Sequence, residues 1–282
     1  YADALAISGD HDAALEELRA MERAEIAPVT RARLLRKRGL VHLRTSAPAA
    51  GIEALRGSLA LLEGAPPRTR LGRLVRLAWD AVHALVRRFF RGRGDGGRLE
   101  ERALVNRELA LVYRWVDLYD AAGHLARFSR LAQQLAPRHY RVDADAMLSM
   151  LFALQSFPGV GARFQRSARE LATATGDLEG LARLTVIQGA CELMLDDSDA
   201  CLRRLDEGVA LSRQTGDRML VAFALSARAW ARGIVGHIPD ARAEFEEAEH
   251  EAMECGALWL ATDAKCGRGI TAVVMGRFDE TR

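Results

Sequence analysis

Apolar and polar residues alternate along this chain with a period of three to four, the spacing that lays one face of an α-helix against a core. The clearest run is Gly236, Ile238, Ala241, Phe245 and Ala248, and the same register near the start of the chain gives Gly9, His11, Ala14, Leu18 and Met21. Its small position recurs as Ala14, Gly51, Ala121, Gly161, Cys201 and Ala241. The large position that follows is Leu18, Leu55, Leu125, Gln165, Leu205 and Phe245, where only Gln165 departs from the pattern. A matching small site on the preceding helix falls at Gly39, Ser149, Gly189, Ala229 and Gly269, with Leu109 as the exception. Glycine inside a helix costs about 1 kcal/mol relative to alanine. Its recurrence at one register therefore predicts two helix backbones in close approach.

Corners between helices are written in the same ladder. Gly96, Ala136, Gly176, Gly216 and Gly256 stand at intervals of 40, and Thr175-Gly176-Asp177 is repeated as Thr215-Gly216-Asp217. Glycine takes the left-handed conformation that closes a helix, and the following Asp caps the next one. A second set of corners falls at Val116, Ser156, Asp196, Gly236 and Gly276. The chain is expected to be all-α, built of antiparallel helix pairs of about 40 residues, each helix about four to five turns long. These pairs are expected over residues 1–64 and 98–282, separated by a distinct segment at 65–97. There, Leu71, Leu74, Val75, Ala78, Trp79, Val82, Leu85, Val86 and Phe89 have the spacing of one long extra helix. A mobile glycine-rich loop, Arg91-Gly92-Arg93-Gly94-Asp95-Gly96-Gly97, is expected to follow it.

The stretch from Gly236 to Ala248 resembles the second-helix consensus of tetratricopeptide repeats, and Gly276-Arg277-Phe278-Asp279-Glu280 reads as the opening of another copy. The resemblance implies an α-α superhelix, a solenoid of stacked helix pairs. The family's usual repeat is about 34 residues, so each helix here should be nearly one turn longer. Several features in order are similar to the helical arm of large bacterial signalling proteins. They are Gly9-Asp10-His11-Asp12-Ala13-Ala14-Leu15, the run Arg31 to Gly39, the Leu77-Ala78-Trp79 helix with its arginine-rich end, and the units ending in Thr-Gly-Asp. Such proteins join a nucleotide-switching AAA/STAND-type ATPase module to a tetratricopeptide-like array, often with a serine/threonine kinase, a nucleotide cyclase or a histidine kinase. What this implies is a non-catalytic interaction or sensing scaffold. Its partner would be a protein, a peptide or another domain of the same parent, and any catalysis would lie outside this chain. Tyr1 at the start and a new helix opening at Gly276 give both ends the look of cuts.

Charge narrows the partners. Forty basic residues against 38 acidic ones leave +2, which does not favour nucleic acid or an anionic membrane. The four cysteines, Cys191, Cys201, Cys255 and Cys266, form no C-x-x-C pair and are too sparse for a secreted disulfide scaffold. No apolar run reaches the roughly 18 residues of a membrane span, and no signal peptide opens the chain. A reducing cytoplasm is the expected location.

Candidate chemistry is sparse. A phosphate loop needs Lys and Ser or Thr after its glycines, and neither Lys37 nor Lys265 has that setting. Gly92, Gly94, Gly96 and Gly97 follow a helix rather than a strand, so a linker is the better reading. The cluster Arg87, Arg88, Arg91, Arg93 and Arg98, with Phe89 and Phe90 inside it, is a candidate anion contact and the basis of an alternative reading as a nucleic-acid-binding solenoid. Arginines at a helix C-terminus are also favoured by the helix dipole alone. His250 with Glu254 or Cys255 has no second ligand pair. No metal site, cofactor or catalytic set is therefore expected. Asp196, Asp197 and Asp199 are better explained as caps, and Cys201 as core. Gln188, Arg228 and Arg268 share one register on first helices and are candidates for a partner groove, against the plainer reading of ordinary exposed polar positions.

Overall fold

The structure is a computed structural model. It describes residues 10–23, 26–45, 47–64, 72, 75, 78–79, 96–113, 117–135, 138–154, 157–195 and 197–277. Among the described residues there are twelve helices and no strand. In chain order they are α1 (His11–Glu22), α2 (Pro28–Arg44), α3 (Pro48–Glu63), α4 (Gly96–Tyr113), α5 (Leu118–Ala132) and α6 (His139–Leu154). There follow α7 (Pro158–Thr175), α8 (Leu178–Met194), α9 (Ser198–Thr215), α10 (Arg218–Val235), α11 (Ile238–Glu254) and α12 (Leu258–Val274).

The corners have local causes. Gly176, Gly216, Gly236, Gly256 and Gly276 all take positive φ, between 66° and 98°, where a side chain would strain the backbone. Asp177, Asp197 and Asp217 then accept hydrogen bonds from the first backbone N–H groups of α8, α9 and α10. Proline at the first turn starts α2, α3, α7 and α11, where its missing N–H costs nothing.

The chain divides into two compact units between Met147 and Leu148, inside α6. In the first, α1 to α5 each pack on the next, and α2 also touches α4. Its core joins Ala32, Leu55, Leu59, Leu62, Val105, Leu109, Tyr113 and Ala121. A smaller cluster of Ala14, Leu15, Leu18, Leu34 and Val41 lies between α1 and α2. In the second unit, α7 to α12 pack in sequence, and α10 touches both α8 and α12. Its core gathers Val186, Cys201, Leu205, Val209, Leu225, Ala229, Ala241, Phe245 and Ala264.

Neighbouring helices run antiparallel and approach closely at small residues. A Cβ added to Gly189 would lie 2.6 Å from Leu205 Cγ and 3.3 Å from the Cys201 carbonyl, while one on Gly208 would lie 2.8 Å from Val186. Positions rise along α8 as their contacts fall along α9. The same crossing would set a Cβ added to Gly39 3.1 Å from the Gly51 carbonyl and one added to Gly161 2.9 Å from the Ser149 carbonyl. All six small positions of the second-helix stripe are buried. Leu109, the exception at the first-helix site, is fully buried beside Ala121 in the first unit's core.

Of the expected extra helix, residues 72, 75, 78 and 79 are helical, with Val75 and Trp79 more than half exposed. Its other residues, and the loop as far as Asp95, lie outside the described residues, as do the corner positions Val116, Ala136, Ser156 and Asp196. Gly96 and Gly97 open α4 instead of ending the loop. Burial of Leu99 and a 2.8 Å bond from the Arg98 guanidinium to the Leu62 carbonyl fix that first turn.

Candidate functional site

Gln188, Arg228 and Arg268 occupy one register on α8, α10 and α12, and each is held by a residue of a neighbouring helix. The Gln188 carbonyl oxygen accepts from Arg169 Nη2 on α7 at 2.6 Å, and Arg169 also pairs with Glu207 at 3.5 Å. Arg228 lies 2.7 Å from Asp206 on α9 and 2.7 Å from Glu244 on α11. Arg232 shares Glu244 at 3.0 Å, and Arg268 reaches Glu249 on α11 at 3.3 Å. These side chains are turned toward α7, α9 and α11, so their polar atoms serve the seams between helices.

The seam around Glu244 buries charge between α10 and α11. Only 6% of Glu244 is exposed, and one of its oxygens takes both arginines. Burial pushes its carboxyl above the ordinary range even though Arg228 and Arg232 pull the other way. Beside it, Asp263 on α12 accepts from the Ser226 hydroxyl at 2.5 Å and from the Trp230 indole N–H at 3.3 Å. Trp230 in turn meets the Phe245 ring edge-on, with centroids 5.1 Å apart.

In the first unit a comparable network links α2, α4 and α6. Glu101, 1% exposed, takes Arg36 at 2.6 Å and Arg33 at 3.4 Å. Arg107 lies between Asp143 at 2.5 Å and Glu108 at 2.7 Å. Burial opposes its charge, but the two carboxylates outweigh that and raise its pKa. Tyr140 donates to Glu100 at 2.6 Å; burial first, and that bond second, push the phenol up to about 12.

Reactive groups are kept quiet. Burial, with Glu192 adding to it, pushes the Cys191 and Cys201 thiols up to about 11, so both stay protonated at neutral pH. Gln165, the residue out of pattern in the stripe, offsets part of that rise at Cys191. Among the described residues no group of three or more His, Cys, Asp or Glu side chains could hold a metal ion. No helix among them is long and apolar enough to cross a membrane. Of the basic cluster, Arg98 is used on the Leu62 carbonyl, and Arg87, Arg88, Arg91 and Arg93 lie outside the described residues.

Sequence reasoning missed the partners Arg169, Asp206, Glu244 and Glu249. The pairing of Arg228 with Glu244 was within reach, since each directly precedes a stripe residue, Ala229 and Phe245, on consecutive helices. Arg36 and Glu101 are 65 residues apart and left no signal in the sequence. No known protein family matches the chain, and no curated protein matches it.

Proposed function

We propose that this chain is a tetratricopeptide-like array of helix pairs, about 40 residues each, serving as the non-catalytic interaction and sensing arm of a larger cytoplasmic signalling protein. The observation that carries the reading is the crossing of small residues twelve positions apart: Gly39 with Gly51, Ser149 with Gly161, Gly189 with Cys201. Helix pairs locked in one repeated way build an extended surface whose units bury what their neighbours cannot cover alone. The function then rests on surface recognition, with the ATPase, kinase or cyclase chemistry placed elsewhere in the parent.

Two measurements test this. The reading frame encoding the chain is expected to continue into a nucleotide-switching ATPase module. That module, purified separately, is expected to bind the array in a pull-down. A frame without such a module, together with no binding to any other domain it encodes, removes the proposal.

A further inference from the structure

One helix of the second unit is held differently from its equivalents. α9 buries Leu205 and Val209, and α11 buries Phe245, so each is pinned by large apolar side chains. α7 buries only Gly161, Ala168 and Ala172. With the last turns of α6 included, the described residues from 148 to 175 add just Ser149 to that set. The cause lies in the stripe: where α9 and α11 carry Leu205 and Phe245, α7 carries Gln165, and glutamine gains little from burial. The large apolar residues of this corner stay near the surface, with Phe157 59% and Val160 38% exposed and Phe164 half-buried against Phe152. Polar bonds tie α7 to α8. The Arg169 guanidinium donates to Gln188 Oε1 at 2.6 Å and to the Thr185 hydroxyl at 3.3 Å.

We propose that α7 is a latch on α8: it detaches as one helix while α8 to α12 stay folded, with Arg169 as its catch and Gln188 and Thr185 uncovered on release. Local opening costs least where few apolar contacts are broken, and α7 breaks fewer large ones than α9 or α11 would. The closed latch engages Gln188, the α8 member of the register shared with Arg228 and Arg268. Opening frees that position, so the latch governs when it can meet a partner. The inference goes beyond the interaction role proposed above and rests only on packing inside the second unit.

Two buried thiols read the opening. Cys191 and Cys201 are 3% and 0% exposed and both are held up to about 11, so their intrinsic reactivity matches. Gln165 of α7 acts on the Cys191 thiol, whereas Cys201 lies at the α8–α9 crossing beside Gly189. In the intact chain without denaturant, iodoacetamide should label Cys191 about tenfold faster than Cys201. Gln165→Leu, which completes the apolar stripe, should slow Cys191 about tenfold through the added burial. Arg169→Ala, which removes the catch, should speed it about tenfold. Cys201 should keep its rate in both variants. Hydrogen exchange of the α7 amides, which thiol chemistry does not touch, should follow Cys191 in each. Equal labelling of the two thiols, or shifts that both share, would mean that α7 opens only with the whole unit, and overturns the proposal. So does fast Cys191 labelling while the α7 amides stay protected, which gives the reagent another route. Binding of the ATPase module is scored separately, so failure here is distinguishable from failure of the array reading.

Discussion

Arg228 and Glu244 meet at 2.7 Å in the seam between α10 and α11, with 14% of one side chain and 8% of the other exposed. The pair is drawn into a wider cluster by Asp206 and Arg232, so three helices share one set of charges. Truncating one member strands another in a low-dielectric seam. Arg228→Met keeps the side chain's length and removes its charge, leaving Glu244 with Arg232 alone. A loss of about 2–4 kcal/mol is expected, near the cost of breaking a buried pair and eased by the remaining arginine. Urea unfolding of the variant measures it; a change under about 0.5 kcal/mol would show the pair to be a solvent-screened surface contact.

Two glycines of one register should answer alanine in opposite directions. At Gly189 a new Cβ would lie 2.6 Å from Leu205 Cγ, too close to the branch point for a simple rotation to relieve. Gly189→Ala should cost about 1–3 kcal/mol by overpacking, despite alanine's better helix propensity. Gly269→Ala meets nothing within 4 Å and should gain up to about 1 kcal/mol. Thermal melts of the two variants side by side check this, and equal shifts would mean that the close crossing of α8 and α9 does not exist in solution.

This contrast shows what was legible beforehand. A glycine that recurs in a helical stripe announces a backbone crossing, because nothing else repays its cost; Gly39, Gly161 and Gly189 were readable for that reason. The Thr-Gly-Asp corners were readable because left-handed backbone and capping are local. The partners of Gln188, Arg228 and Arg268 were not. Register placed the three on one face, but a long polar side chain can turn toward either neighbour. Which way it goes depends on Arg169, Asp206, Glu244 and Glu249, whose positions in space come only from the packed helices.

The corner at Gly216-Asp217 separates two local contributions. Gly216 sits at φ 72°, where a side chain is strained, so Gly216→Ala should cost about 1–2 kcal/mol. The Asp217 carboxylate accepts from Met219 N at 2.9 Å and Leu220 N at 3.2 Å, so Asp217→Ala should cost about 0.5–2 kcal/mol. Denaturant midpoints of the two single variants give both numbers. Asp217→Asn, which retains an acceptor, should recover most of the second loss; no recovery would point to charge rather than capping.

Three of the four thiols should separate by reactivity. Cys266 is exposed, whereas Cys191 and Cys201 are buried with thiols held up to about 11. In the native protein at pH 8, iodoacetamide should modify Cys266 well before either buried cysteine, since the thiolate is the nucleophile and access limits the rest. Peptide mass spectrometry after timed quenching reads the order. Early labelling at Cys201 would mean that the α8–α9 seam opens locally at low cost.

Acid response gives the sharpest test of the seam. Burial raises the Glu244 pKa above its ordinary 4.5, so the folded chain holds that proton more tightly than the unfolded one does. Stability depends on pH through the difference in bound protons. Between the unfolded pKa and the raised folded value the native state carries the extra proton. Glu244's contribution is therefore fully present below 4.5 and is lost as pH rises through the folded value. Glutamine at this position does not titrate. The stability of the wild type relative to Glu244→Gln should accordingly fall as pH climbs through that window, and fall further in an Arg228→Met background, where less positive charge opposes the shift. Urea midpoints taken from pH 4 to pH 8 on the four proteins measure it. A wild type that instead gains on the glutamine variant with rising pH would show that the two arginines outweigh burial, and that the carboxylate is the form the seam was built to hold.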